Sequence, residues 1–61
     1  MLYLDRKVDQ RIIIETPDGL IKITLMDVKG SIARLGFEYP PQIEVYREEI
    51  YRRIQAERRA R

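Results

Sequence analysis

Cysteine and histidine are both missing from the 61 residues. Without cysteine there is no disulfide and no thiolate metal site. Without histidine, zinc would have to use carboxylates alone, and an ordinary nucleophile–base triad is out of reach. The only serine, Ser31, follows a glycine in a tight turn, and the three glycines are too scattered to cradle a phosphate. No apolar run approaches the ~18 residues of a membrane span. The opening Met-Leu-Tyr-Leu-Asp-Arg-Lys places its charges after its apolar residues, unlike a secretory signal. Together with the missing cysteine, this points to the cytoplasm. So short a chain hardly encloses a pocket of ~300 Å³. The expected class is a binding module rather than an enzyme, with no cofactor, metal, membrane or small-molecule substrate.

Sixty-one residues suffice for one domain. A domain of this size buries only about 60% of its unfolded surface and is marginal alone. With disulfides and metals excluded, oligomerisation is the remaining staple, so a dimer is expected. Net charge is +2, but its distribution is uneven. Residues 1–46 carry six basic and seven acidic side chains; residues 47–61 carry six arginines against three glutamates. Arginine's planar fork suits phosphates and base edges. For Arg58, Arg59 and Arg61 the expectation is a solvated tail. The chain divides into one domain, residues 1–57, and a disordered basic tail, residues 58–61.

Leu2, Leu4 and Arg6 alternate with Tyr3, Asp5 and Lys7, a period-2 pattern that predicts a first strand. Asp9-Gln10 is a polar break. Arg11 to Thr16, rich in β-branched residues, reads as a strand buried on both faces. Pro17-Asp18-Gly19 is a hairpin turn, since proline pre-sets φ and glycine supplies a positive one. Leu20 to Val28 predicts the longest strand, with Ile21, Ile23 and Leu25 on one face. Lys29-Gly30 turns into a fourth strand, Ser31 to Phe37, in which Gly36 signals a bulge or a close backbone approach. Tyr39-Pro40-Pro41 interrupts pairing. Gln42 to Tyr46 is read as a fifth strand, and a helix follows from about Arg47, fraying beyond Ala56. The fold class is mostly β with a C-terminal helix, β-β-β-β-β-α.

Val45 to Glu57 organises the rest. Glu48 and Glu49 fall in the first helical turn, where carboxylates complement the dipole. Glu48–Arg52 and Glu49–Arg53 are expected as i,i+4 pairs. Ile50 and Ile54 form a narrow stripe for docking. Arg47 stands at the strand–helix junction, a stiff support for a cation that recognises an anion; the competing reading is a salt bridge to a neighbouring carboxylate.

These motifs, in this order, resemble the carbon storage regulator family (CsrA/RsmA) of bacterial RNA-binding regulators. Met1-Leu2, Leu4 and Arg6-Lys7-Val8 resemble the family's opening, Val28-Lys29-Gly30 its central turn, and Arg34-Leu35-Gly36-Phe37 the strand after it. Val45, Arg47-Glu48-Glu49-Ile50-Tyr51 and Arg53-Ile54 are close to its main signature, which Gln55-Ala56-Glu57 continues. The resemblance covers nearly the whole chain. It implies a homodimer with strands interleaved into a barrel- or sandwich-like core. It also implies two sites for GGA-containing hairpin loops in mRNA leaders near ribosome-binding sites, controlling translation or mRNA stability. Small RNAs with repeated GGA motifs are the implied antagonists, together with a protein antagonist of the FliW type.

Carried over by position, Leu4, Asp5, Arg6 and Lys7 of one protomer should face the RNA. Arg47 of the other should complete the site, with Val45, Tyr39 and Pro40 against the bases. The competing readings differ in kind: a strand leucine such as Leu4 is ordinarily core, and Arg6 and Lys7 compete with a reading as solvated strand residues. Several positions depart from the family. Asp5 stands where threonine is common, Lys7 where arginine is usual, Asp9-Gln10 for Gly-Glu, and Tyr46 for histidine. These bear on RNA preference more than on fold. Two alternatives stay open: a divergent protein-interaction module with weak or altered RNA specificity, and a DNA binder acting through the basic tail.

Overall fold

The computed structural model describes residues 1–59. Strands β1 (Arg11–Thr16), β2 (Gly19–Lys29) and β3 (Ile32–Glu38) form one antiparallel sheet in that order, and helix α1 (Glu48–Arg59) follows. Local chemistry accounts for the turns. Pro17 and Asp18 form a two-residue loop between paired Thr16 and Gly19. The Thr16 hydroxyl donates to Gly19 O at 2.6 Å and accepts from the Asp18 N–H at 3.2 Å. Gly19 has φ +130° and Gly30 has φ +56°, values that L side chains rarely adopt. A side chain on Gly19 would also meet Pro40, whose Cγ would lie 2.9 Å from the added Cβ. That contact holds the Tyr39–Pro41 segment against the first hairpin.

Cross-strand pairs Ile12–Ile23, Ile14–Ile21, Ile23–Phe37 and Leu25–Leu35 place seven apolar residues on one face of the sheet. The irregularity signalled by Gly36 is realised on the neighbouring strand. Leu25 pairs with Leu35 and Asp27 with Arg34, so Met26 is the extra residue of a bulge in β2. Its side chain takes the space a Cβ at Gly36 would need, with Sδ 3.2 Å from that position.

Five strands were expected, and three are present among the described residues. Residues 1–7 and 43–46 have no ladder partner. A strand is defined by its partner, and within one chain these segments have none. Gln42 belongs to a turn closed by Ile43 N–H donating to Pro40 O at 3.0 Å, so the proline pair pushes the chain into a turn where the fifth strand was to begin. The helix, by contrast, outruns its expected end. Arg58 and Arg59 are helical, and arginines in the last turn suit the negative end of the dipole. Ala60 and Arg61, the rest of the expected tail, lie outside the described residues.

No described residue is buried. The Arg11–Thr16 strand, read as covered on both faces, exposes Ile13 by 52% and Ile14 by 42%. No strand lies against α1, and Ile50 and Ile54 are only half-buried. The radius of gyration is 14.3 Å, whereas a compact chain of this length would have about 10.5 Å. Accessible surface is 5950 Å², against roughly 4,200 Å² for a compact monomer of this mass. Among the described residues the sheet therefore has an apolar face and no second layer to cover it.

One described non-glycine residue has a positive φ. Asp9 has φ 71°, the left-handed region, in a turn closed by Gln10 N–H donating to Lys7 O. Replacing Asp9 with Gly is expected to stabilise the fold by ~0.5–1 kcal/mol. Urea denaturation of both proteins checks this; a loss of stability would show that the Asp9 side chain contributes more than its backbone costs.

Candidate nucleic-acid interface

The expected site residues fall into three groups within one chain. Leu4 and Arg6 line a cavity of about 190 Å³ with Gln10, Ile12, Ile23, Leu25 and Leu35. Val45 and Arg47 line a groove of about 600 Å³ with Ala33, Leu35, Phe37 and Tyr46. Leu35 borders both. Tyr39 is exposed, and Pro40 rests on Gly19 at the far end of the sheet. The single chain thus brings Leu4 and Arg6 together, and Val45 with Arg47, without joining the two groups into one pocket.

On the N-terminal segment, the guanidinium of Arg6 is folded toward backbone. Its Nε donates to Asp5 O at 2.8 Å and its Nη1 to Arg11 O at 3.4 Å. Lys7 is tied through its backbone: its N–H donates to Gln10 Oε1 at 2.9 Å, and its carbonyl accepts from Gln10 N–H at 3.0 Å. Lys7 and Asp5 are both exposed, leaving an ammonium and a carboxylate on the same short segment.

At the other group, Arg47 caps α1 with its carbonyl, which accepts from Ile50 N–H at 3.1 Å and Tyr51 N–H at 3.0 Å. Its side chain pairs with Glu49, Nη2 to Oε1 at 2.5 Å, so the competing salt-bridge reading of Arg47 describes its geometry here. The pair is 80% and 58% exposed. Such solvated pairs are worth only ~0–1 kcal/mol, so Glu49 restrains Arg47 without locking it. Glu49 is consequently taken from Arg53, its expected i,i+4 partner, while Glu48–Arg52 forms as expected at 3.4 Å. Tyr46 donates its hydroxyl to the Glu44 carboxylate. Its ring lies 6.0 Å from that of Tyr51 at 51°, an aromatic pair beside the arginine.

Two features escaped the sequence reading. Gln10 looked like a polar break and is a hydrogen-bonding hub. Glu49 looked like a helix-surface partner and is the carboxylate on Arg47. The position of Gln10 directly after Asp9, a residue tolerant of positive φ, was the available signal for the first. Among the described residues no helix is long and apolar enough to cross a membrane, and no group of three or more acidic side chains is placed to hold a metal.

Residues 1–56 match the model of the CsrA family, described as a global regulator protein family. A translational regulator CsrA of Treponema pallidum (strain Nichols) is 37% identical over 60 residues, spanning 98% of this chain and 78% of that protein. Another, from Geotalea uraniireducens (strain Rf4), is 42% identical over 59 residues, spanning 97% of this chain and 71% of its own length. The paired motifs at Leu4–Lys7 and Val45–Ile54 thus occur within an alignment covering nearly every residue, and the chain belongs to the CsrA global regulator protein family.

Proposed function

We propose that the protein is a homodimeric RNA-binding translational regulator that recognises GGA in hairpin loops of mRNA leaders. One observation carries this reading. Of the residues expected at the RNA, Leu4, Asp5, Arg6, Lys7 and Val45 sit on the two segments, 1–7 and 43–46, that have no ladder partner, and Arg47 sits at the junction next to the second; Tyr39 and Pro40 lie outside them. Both outer strands, β1 and β3, also end the sheet with unpaired edges. In an interleaved dimer, a segment of one chain pairs with a partner edge and the apolar faces meet. Leu4, Asp5, Arg6 and Lys7 then come beside Val45, Arg47 and the Tyr39–Pro40 backbone of the other chain, twice by symmetry. Backbone groups read base edges, and the Arg47 fork takes guanine or phosphate. Unstacked loop bases are the form of RNA that permits such reading.

The size of the exposed surface supports the assembly. The excess over a compact monomer, roughly 1,700 Å² per chain, corresponds to an interface in the 2,000–5,000 Å² class of obligate dimers. GGA-repeat small RNAs would compete for the same sites, and a FliW-type protein would be a second class of antagonist.

The test is a titration with a GGA-loop hairpin beside a loop-scrambled control, with mass from light scattering. Loop-dependent binding by a dimer is the expected result. Its affinity should fall with salt at a slope near −0.7 for each phosphate neutralised. A dimer that ignores both RNAs would move the function to a protein partner, the reading that the Asp5 carboxylate favours. The same titration checks Glu49. Replacing Glu49 with Gln frees Arg47 and should tighten hairpin binding about two- to threefold at low salt; unchanged affinity would mean that Glu49 does not compete with the RNA for Arg47.

A further inference from the structure

We propose that the Gln10 side chain is a positioning residue that aims the Leu4–Lys7 segment at the RNA; the inference rests on the RNA reading above. Every residue from Met1 to Gln10 is exposed, and residues 1–7 have no ladder. Besides the long Arg6 Nη1 bond to Arg11 O, their hydrogen-bonded anchorage to the sheet runs through Asp9 and Gln10. Its carbonyl accepts from Leu25 N–H at 3.1 Å, which fixes it to β2, and Asp9 N–H donates to Leu25 O at 2.7 Å on the same strand. From that fixed point Gln10 grips Lys7 twice, by its own N–H to Lys7 O and by Oε1 from Lys7 N–H. Both backbone groups of Lys7 are thereby set in direction. Gln10 also lines the same cavity as Leu4 and Arg6.

The backbone bond to Lys7 survives any substitution at position 10 except proline. The side-chain bond does not, and it is the one that closes the ring. Among the described residues the Gln10 side chain acts through its oxygen alone, as an acceptor. An acceptor of the same reach, glutamate, should therefore replace it, and leucine of similar volume should not. A residue needed only for folding would show no such selectivity, because position 10 is exposed and surface substitutions are usually tolerated.

The experiment compares Gln10→Leu, Gln10→Ala and Gln10→Glu with the unmodified protein. It measures amide exchange at Lys7, affinity for the GGA-loop hairpin, and mass in solution. In Gln10→Leu and Gln10→Ala, Lys7 exchange should rise about fivefold, the worth of one hydrogen bond. Hairpin affinity should fall about tenfold, since the segment must be ordered on binding, while mass stays that of a dimer. Gln10→Glu should keep Lys7 protected and restore most of the affinity. Unchanged affinity in Gln10→Leu, or loss in Gln10→Glu equal to that in Gln10→Leu, would overturn the proposal. So would loss of assembly in both Gln10→Leu and Gln10→Ala, which would make Gln10 a structural residue. Failure of the RNA reading looks different, because the unmodified protein would then bind neither hairpin.

Discussion

Arg47→Ala is expected to weaken binding of a GGA-loop hairpin by about five- to 150-fold, the loss of one bidentate arginine contact to guanine. The dimer should remain folded. Three structural facts separate these effects. The Arg47 side chain is 80% exposed, its ion pair with Glu49 is solvated, and its capping role is performed by the backbone carbonyl, which alanine retains. Arg47→Lys divides charge from geometry. If a point charge near phosphate suffices, lysine keeps most of the affinity and the salt slope. If the planar fork reads a base edge, lysine falls close to alanine and loop specificity is lost with it. The measurement is hairpin affinity for the three proteins at two salt concentrations, with thermal unfolding alongside. Affinity of Arg47→Ala within twofold of the parent, at unchanged stability, would remove Arg47 from the site.

The second large effect concerns assembly. Leu35→Asp should abolish the dimer and, with it, cooperative folding. Within one chain Leu35 is 49% exposed and pairs with Leu25, so a charge there would cost about 1–2 kcal/mol if the monomer were the folded unit. Covered in a dimer, the same carboxylate loses its hydration in each of two subunits, at several kcal/mol per ion. The several-fold gap separates the two cases. The parent protein should unfold at a midpoint that falls on dilution, losing about 1.4 kcal/mol of apparent stability for each tenfold decrease in concentration. Light scattering should give twice 7.3 kDa for the parent. A Leu35→Asp protein that stays folded, or a parent whose unfolding ignores concentration, would show that the single chain suffices. The interleaved arrangement would then be wrong.

These two experiments address different residues of the same groove. Leu35 forms part of the wall that both cavities share, and Arg47 stands at the rim of one of them. An Arg47→Ala protein that is dimeric and RNA-deficient, beside a Leu35→Asp protein that is neither dimeric nor RNA-binding, is the pattern expected of a site assembled from two chains.

Sequence by itself determined the local parts of this protein. The β-branched run in Arg11–Thr16 and the alternation in Leu20–Val28 and Ser31–Phe37 placed three strands within one residue of their observed bounds, because branched side chains and period 2 both suit the strand backbone. Glycines at 19 and 30 placed the turns, because their positive φ values are costly for other residues. The acidic first turn marked the start of α1 at Glu48. The motif order at Leu4–Lys7 and Val45–Ile54 also identified the family, since side-chain identity at fixed spacing is all that such a resemblance requires.

Tertiary structure decided whatever depends on a partner. Residues 1–7 and 43–46 have the composition of strands and yet form no ladder within one chain, where neither pairs with the open edge of β1 or β3. Glu49 chose Arg47 over Arg53, a difference between two solvated pairs too small for spacing rules to rank. The bulge formed at Met26, across from the glycine that signalled it, because the glycine leaves space that its neighbour fills. Gln10 became an anchor because β2 happens to pass beside it, bringing Leu25 within hydrogen-bonding reach of a residue fifteen positions earlier in the chain. Each outcome depends on a contact between residues not adjacent along the helix or strand period, and the free energy of such a contact is set by geometry that no single segment contains.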